Sequence, residues 1–228
     1  MVNEIIVGFL GPLPLSRQPE SRPVTPFRVL SFQGNRSSRA CARAYGAGMG
    51  KVYDEIDETL MAWLGAQPVF FVATAPLAPD GHLNLSPRGL DCLSVLGPRQ
   101  VAWVDLTGSG VETIAHLREN GRVVLMWCAF TGPPRIVRVH GRGRVCLPGS
   151  AEYDDVTGRH PEHLSTRAVI VVDVERLSDS CGFGVPLMDL VGERDQLDRW
   201  AASKGPEGLL AYREEKNALS LDGLPGLT

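Results

Sequence analysis

The chain is poor in lysine: only three of its 228 residues are lysine, against twenty arginines. It has five cysteines, at 41, 92, 128, 146 and 181, an odd and scattered set without a C-x-x-C pair. That argues against a disulfide framework and against structural zinc, and buried, reduced thiols are expected. No apolar run approaches the roughly 20 residues of a membrane-spanning helix; the longest are 123–130 and 168–172. Charge of either sign is not in large excess. A net charge of −3 gives no general pull toward nucleic acid or anionic lipid. Several catalytic motifs are missing as well. There is no Gly-Lys-Ser/Thr of a Walker A loop and no G-x-S-x-G of a hydrolase elbow, since Ser109 sits in Gly-Ser-Gly. Gly141-Arg-Gly143 and Gly182-Phe-Gly184 both lack the third glycine of a dinucleotide fingerprint.

What is present is ordinary globular material, 43% hydrophobic and 21% charged. Residues 1–48 differ from the rest. They carry six arginines, two glutamates and no lysine, a charge of +4 that leaves −7 for 49–228. No helical or strand period runs through them beyond the apolar stretch 5–10. They make a poor signal peptide, and an organelle transit peptide or translated sequence upstream of a start at Met49 are the alternatives. The start at Met49 is the favoured one, because Met-Gly-Lys-Val-Tyr-Asp opens directly into a helical pattern. The 1–48 tail is expected to be disordered.

From Met49 on, the pattern is that of one domain. Residues 53–66 place Ile56, Leu60, Trp63 and Leu64 on one helix face. Strands are expected at 69–75, 82–88 (with Leu83 and Leu85 alternating with polar residues), 92–96 and 101–106. A helix over 111–120 is stopped by Gly121. Two long strands, 122–130 and 135–146, are joined by Thr-Gly-Pro-Pro. An irregular or weakly helical crossover at 152–163 leads to a strand at 168–177 and two C-terminal helices, 195–204 and 207–217. Six or more strands joined mostly by hairpins, with helices at the periphery, describe a mainly β (α+β) barrel.

The richest candidate site is Asp105-Leu-Thr-Gly-Ser-Gly-Val-Glu-Thr113, where a strand enters a glycine-rich turn and then a helix. Thr107, Ser109 and Thr113 offer hydroxyls, and the helix start offers unpaired N–H groups, which together suit a phosphate. The alternative is a plain capped turn with Ser109 as the cap. Asn84-Leu-Ser-Pro-Arg-Gly89 ends a strand with a guanidinium that can grip a phosphate or lie along a ring. Ser180-Cys-Gly-Phe-Gly-Val-Pro186 is apolar enough to cover a planar ligand. His160-Pro-Glu-His163 is the one candidate metal cluster. It lacks an obvious third ligand, and solvated loop histidines are expected instead. Arg135, Arg138, Arg142 and Arg144 are expected to form a solvated or dimer-facing strand side.

Residues 71–76, 84–91, 105–121, 128–135 and 181–192 together resemble the pyridoxamine 5′-phosphate oxidase-related FMN-binding proteins. The resemblance covers nearly all of 49–228 and none of the leader. It implies a split β-barrel with peripheral helices, working as a homodimer with FMN between subunits; with reduced thiols, a cytoplasmic location is expected. Asn84, Ser86, Arg88, Gly89, Asp105, Leu106, Thr107, Ser109, Glu112 and Thr113 are then the expected cofactor contacts. Where the vitamin-synthesising oxidases carry basic residues after the equivalent of Ser109, this chain has Gly110, Val111 and Glu112. That departure argues against pyridoxamine phosphate as substrate and makes Arg88 the only nearby full positive charge. An FMN oxidoreductase taking electrons from a donor such as NAD(P)H is expected. A flavin or haem carrier or sensor, and a deazaflavin (F420) reductase, are the alternatives. No nucleic acid or membrane partner is expected.

Overall fold

The structure is a computed structural model that describes residues 50–227; the expectations for the leader fall outside the described residues. The elements in chain order are β1 (Val52–Tyr53), α1 (Glu58–Gly65), β2 (Phe70–Thr74), β3 (Asn84–Arg88), β4 (Leu93–Gly97), β5 (Gln100–Leu106), α2 (Glu112–Asn120), β6 (Arg122–Cys128), β7 (Ile136–Cys146), α3 (Ala151–Thr157), β8 (Thr166–Ser180) and α4 (Gln196–Lys216). The strands form one sheet in the order β3-β2-β6-β7-β8-β5-β4, with β1 added to β8. Every pairing is antiparallel.

This is a split β-barrel. No strand ladder joins the two ends of the path, β3 and β4, and side chains close the gap. Phe70 of β2 meets Trp103 of β5 edge-on at 6.1 Å and stacks on Trp127 of β6 at 5.4 Å. All three are buried, and burying a side chain of this size contributes about 1.5–3 kcal/mol. Arg88 of β3 reaches across to Asp105 of β5 at 3.0 Å.

Most elements lie where the sequence places them, with two exceptions. Residues 53–57 are not helical: Tyr53 pairs with β8 and its hydroxyl meets Asp179, while α1 begins only after Asp57, whose carboxylate accepts from the Leu60 N–H at 2.7 Å. The second exception is β3, which is inside out. Its register sets Arg88, Ser86 and Asn84 opposite the buried Phe70, Val72 and Thr74. Its polar side therefore faces inward, and Leu85 is 68% exposed with neighbouring Leu83 at 81%. The crossover is a true helix, α3, capped by Ser150. The two expected C-terminal helices are the halves of α4, separated at Gly205 (φ 67°, ψ 173°) and followed at once by Pro206.

Candidate ligand-binding site

The turn after β5 is tied down from behind. Thr107 is buried, its N–H donates to Ser165 O at 2.7 Å, and its hydroxyl donates to the same oxygen at 2.7 Å while accepting from Arg213 Nε at 2.9 Å. The Thr107 hydroxyl, expected to meet a ligand, is thus consumed internally. Asn217 Nδ2 donates to the Gly108 carbonyl at 3.1 Å and Arg167 Nη1 to the Gly110 carbonyl at 2.8 Å. Both peptides are trans, so the N–H groups of Ser109 and Val111 face away from that bracing layer. Ser109 is exposed and is not the cap. The N-cap is Val111, no side chain caps the helix, and the first N–H groups of α2 are left for another acceptor. One feature opposes an anion here. The Glu112 carboxylate folds back over Gly110, where any side chain would collide with it, and it also accepts from Leu221 N–H at 3.3 Å.

Beneath the turn lies a charge cluster. Asp105 is fully buried between Arg88 Nη2 (3.0 Å) and Arg167 Nε (2.7 Å), and Arg167 Nη1 also reaches Asn217 Oδ1 at 2.9 Å. Two guanidiniums share one carboxylate, and Arg213 adds a third positive charge. Burial and the neighbouring Arg167 lower the Arg213 pKa from its ordinary value. Arg88 is therefore not the only cation near the turn. Arg167 and Arg213 escaped the sequence reading because one looks like the polar start of an apolar strand and the other like the solvated face of a helix.

The inward side of β3 continues this polar layer. Asn84 Nδ2 donates to Thr113 Oγ1 at 3.0 Å and lies 3.3 Å from Thr74 Oγ1, which meets His116 Nδ1 at 2.9 Å. Burial lowers the His116 pKa, favouring the neutral ring. Ser86 Oγ and Arg88 Nε are buried with no hydrogen-bond partner among the described residues. Such orphaned atoms are hydrogen-bonding capacity a ligand would satisfy. After Gly89 the backbone is strained. Leu90 (φ 63°) and Asp91 (φ 47°) are consecutive non-glycine residues in the left-handed region, where each costs about 1–3 kcal/mol. Burial pushes the adjacent Cys92 thiol up to about 12, so it is no nucleophile. Leu106, the last residue of β5 before the turn, is half-buried and pairs with Thr166.

The chain's last residues strap these parts together, which the sequence did not signal. Asp222 accepts from His82 N–H at 2.7 Å and meets its Nδ1 at 2.6 Å, and Leu227 N–H donates to Asn217 O at 2.8 Å. The histidines of 160–163 are not freely solvated either. His160 Nε2 meets Ser94 Oγ at 2.7 Å and His163 Nδ1 meets Asp198 at 2.8 Å. Of the four basic stripe residues, Arg142 pairs with Glu175 and Arg144 with Asp173, both exposed. Arg135 instead lies over the Trp63 ring and donates to the Tyr53 hydroxyl at 2.7 Å.

The family described as Pyridoxamine 5′-phosphate oxidase (PNPOx_N) matches residues 56–181. The chain belongs to this family. It is 41% identical over 192 residues to the Pyridoxamine 5′-phosphate oxidase family protein ustO of Aspergillus flavus, covering 77% of each chain. Among solved structures, an FMN-binding protein of Syntrophomonas wolfei is 15% identical over 52% of this chain and 80% of that one, with a TM-score of 0.40. A FAD-binding protein of Mesorhizobium loti is 18% identical over 58% and 97%, with a TM-score of 0.38. In this family member the matched region holds the turn, Arg88, Asp105 and Arg167. Arg213 and Asn217, which brace the turn from α4, lie beyond it.

Proposed function

We propose that this pyridoxamine 5′-phosphate oxidase family protein binds FMN and acts as an FMN-dependent oxidoreductase on a small molecule. It works as a homodimer in the reducing cytoplasm and takes electrons from a donor such as NAD(P)H. The observation that carries the reading is the braced turn: two N–H groups turned away from Asn217 and Arg167, the exposed Ser109 hydroxyl and an uncapped helix start. This donor set suits a phosphate monoester, and the surplus of arginine behind it favours the dianion. FMN, when bound, supplies two-electron redox chemistry, and the protein supplies position and electrostatics. Asp105 and Thr107 act from behind, fixing Arg88, Arg167 and the turn. Asn84 holds Thr113 and thereby the start of α2 against β3. Dimerisation would cover the outward Leu85 of β3 and its neighbour Leu83.

The test is release of the bound ligand and measurement of its mass; FMN is expected, and a mass of haem or F420 would replace it. Titrating apo-protein with FMN and riboflavin then isolates the phosphate. Glu112→Gln removes a negative charge beside the turn and should tighten FMN about three- to tenfold while leaving riboflavin unchanged. An equal change for both ligands, or looser FMN, would move the phosphate away from this turn.

A further inference from the structure

Gly89 lies between two hollows. The larger, about 690 Å³, has a barrel-side floor of Pro68, Val69, Pro87, Leu90 and Phe130, with no charge. The smaller, about 220 Å³, includes Arg88 and Asp91 in its wall. Pro68, Gly89, Leu190 and Glu193 line both, so the two are chambers of one cleft. Its roof is the irregular segment before α4 and the first residues of that helix. The segment is pinned where Met188 N–H donates to Phe130 O at 3.0 Å. The volume falls within the roughly 300–1,000 Å³ of small-molecule sites.

Three observations converge here. Arg88 in the wall has a buried Nε without a partner. Leu90 in the floor and Asp91 in the wall hold strained backbone, and strain of this kind concentrates at ligand sites. The apolar floor shares Pro68 and Gly89 with the chamber whose wall holds Arg88. A phosphate ester does not suit the cleft: Arg88 is already paired with Asp105, and the one other arginine of the lining, Arg194 in the roof, is outweighed by Asp91, Asp189 and Glu193. We propose that this two-chambered cleft binds a phosphate-free small molecule with an apolar ring body in the large chamber and one carbonyl accepting from Arg88 Nε. If the flavin reading holds, this molecule is the substrate. Binding itself is measured without flavin.

The probe is Prodan, a neutral dimethylaminonaphthalene bearing one carbonyl, whose emission reports both polarity and hydrogen bonding. Titrated into the full chain, it should bind one per chain with blue-shifted emission. Leu190→Glu, at a 62% exposed roof position, should weaken binding about tenfold or more. Arg88→Met should weaken it about fivefold and shift emission further to the blue as the carbonyl loses its donor. Since Arg88→Met also breaks the pair with Asp105, the Leu190 variant carries the test if that protein misfolds. Arg159→Gln, at an exposed position just beyond α3 that lines neither chamber, should change nothing. Pyridoxamine 5′-phosphate at millimolar concentration should not displace the probe, and FMN-loaded protein should bind it equally well. Unsaturable binding, indifference to Leu190→Glu, displacement by pyridoxamine 5′-phosphate, or one-for-one displacement by FMN would each overturn the proposal. Prodan binding as described in a protein that does not bind FMN would leave the cleft standing and remove the flavin reading.

Discussion

The two ends of the site are built by opposite means. At the turn after β5, each inward carbonyl has a named donor, and the donors are themselves held: Arg167 by Asp105 and Asn217, and Asn217 by Arg167 and the Leu227 N–H. At the cleft beside Gly89, the floor is strained and the roof is irregular chain, with Leu187 79% and Val191 102% exposed. The first end is over-determined and positions one chemical group. The second is loosely bounded and tolerates variation in what it holds.

The sharpest way to break this contrast is at Asp105. Asp105→Asn leaves two buried guanidiniums uncompensated, and removing one partner of a buried ion pair costs about 3–5 kcal/mol. A urea unfolding series should show a loss of that order, large against a typical domain stability of about 5–15 kcal/mol. A smaller loss follows at Asn217, whose amide supports both the Gly108 carbonyl and Arg167. Asn217→Ala should cost about 1–3 kcal/mol by the same measurement, and FMN should bind more weakly because the Ser109 N–H is no longer held outward. At the cleft the sign reverses. Asp91→Gly relieves a left-handed residue on an exposed position and should stabilise the fold by up to about 1 kcal/mol. Destabilisation by Asp91→Gly would mean that its side chain, rather than its backbone, shapes the floor.

The sequence carried the fold further than it carried the site. Apolar runs bounded by turn residues located β2, β5, β6 and β8, alternation located β7, and Gly121 (φ 70°) closes α2 where expected. Local spacing misled wherever a long-range partner decided the outcome. Tyr53 sits on a helical period but pairs with β8, more than a hundred residues away. Leu85 alternates as a core strand does, yet its register on β2 turns it outward. The hydroxyl of Ser109 looked like a cap, but α2 starts two residues too late for it to serve. Arg167 and Asn217 were illegible for the same reason. Their contacts with Gly110 and Gly108 span 57 and 109 residues, and nothing near them in sequence marks a buried guanidinium or a buried amide.

Gly205 carries a mechanical consequence. Its backbone (φ 67°, ψ 173°) is open essentially only to glycine, and it divides α4 into two rigid arms. The arm before it ends in Gln196 and Leu197 at the cleft roof; the arm after it ends in Asn217 at the turn. A continuous rod would transmit any tilt of the roof to the anchor, whereas this joint uncouples the two. Changes in length or sequence ahead of Gly205 can therefore reshape the chamber without disturbing the grip on the turn.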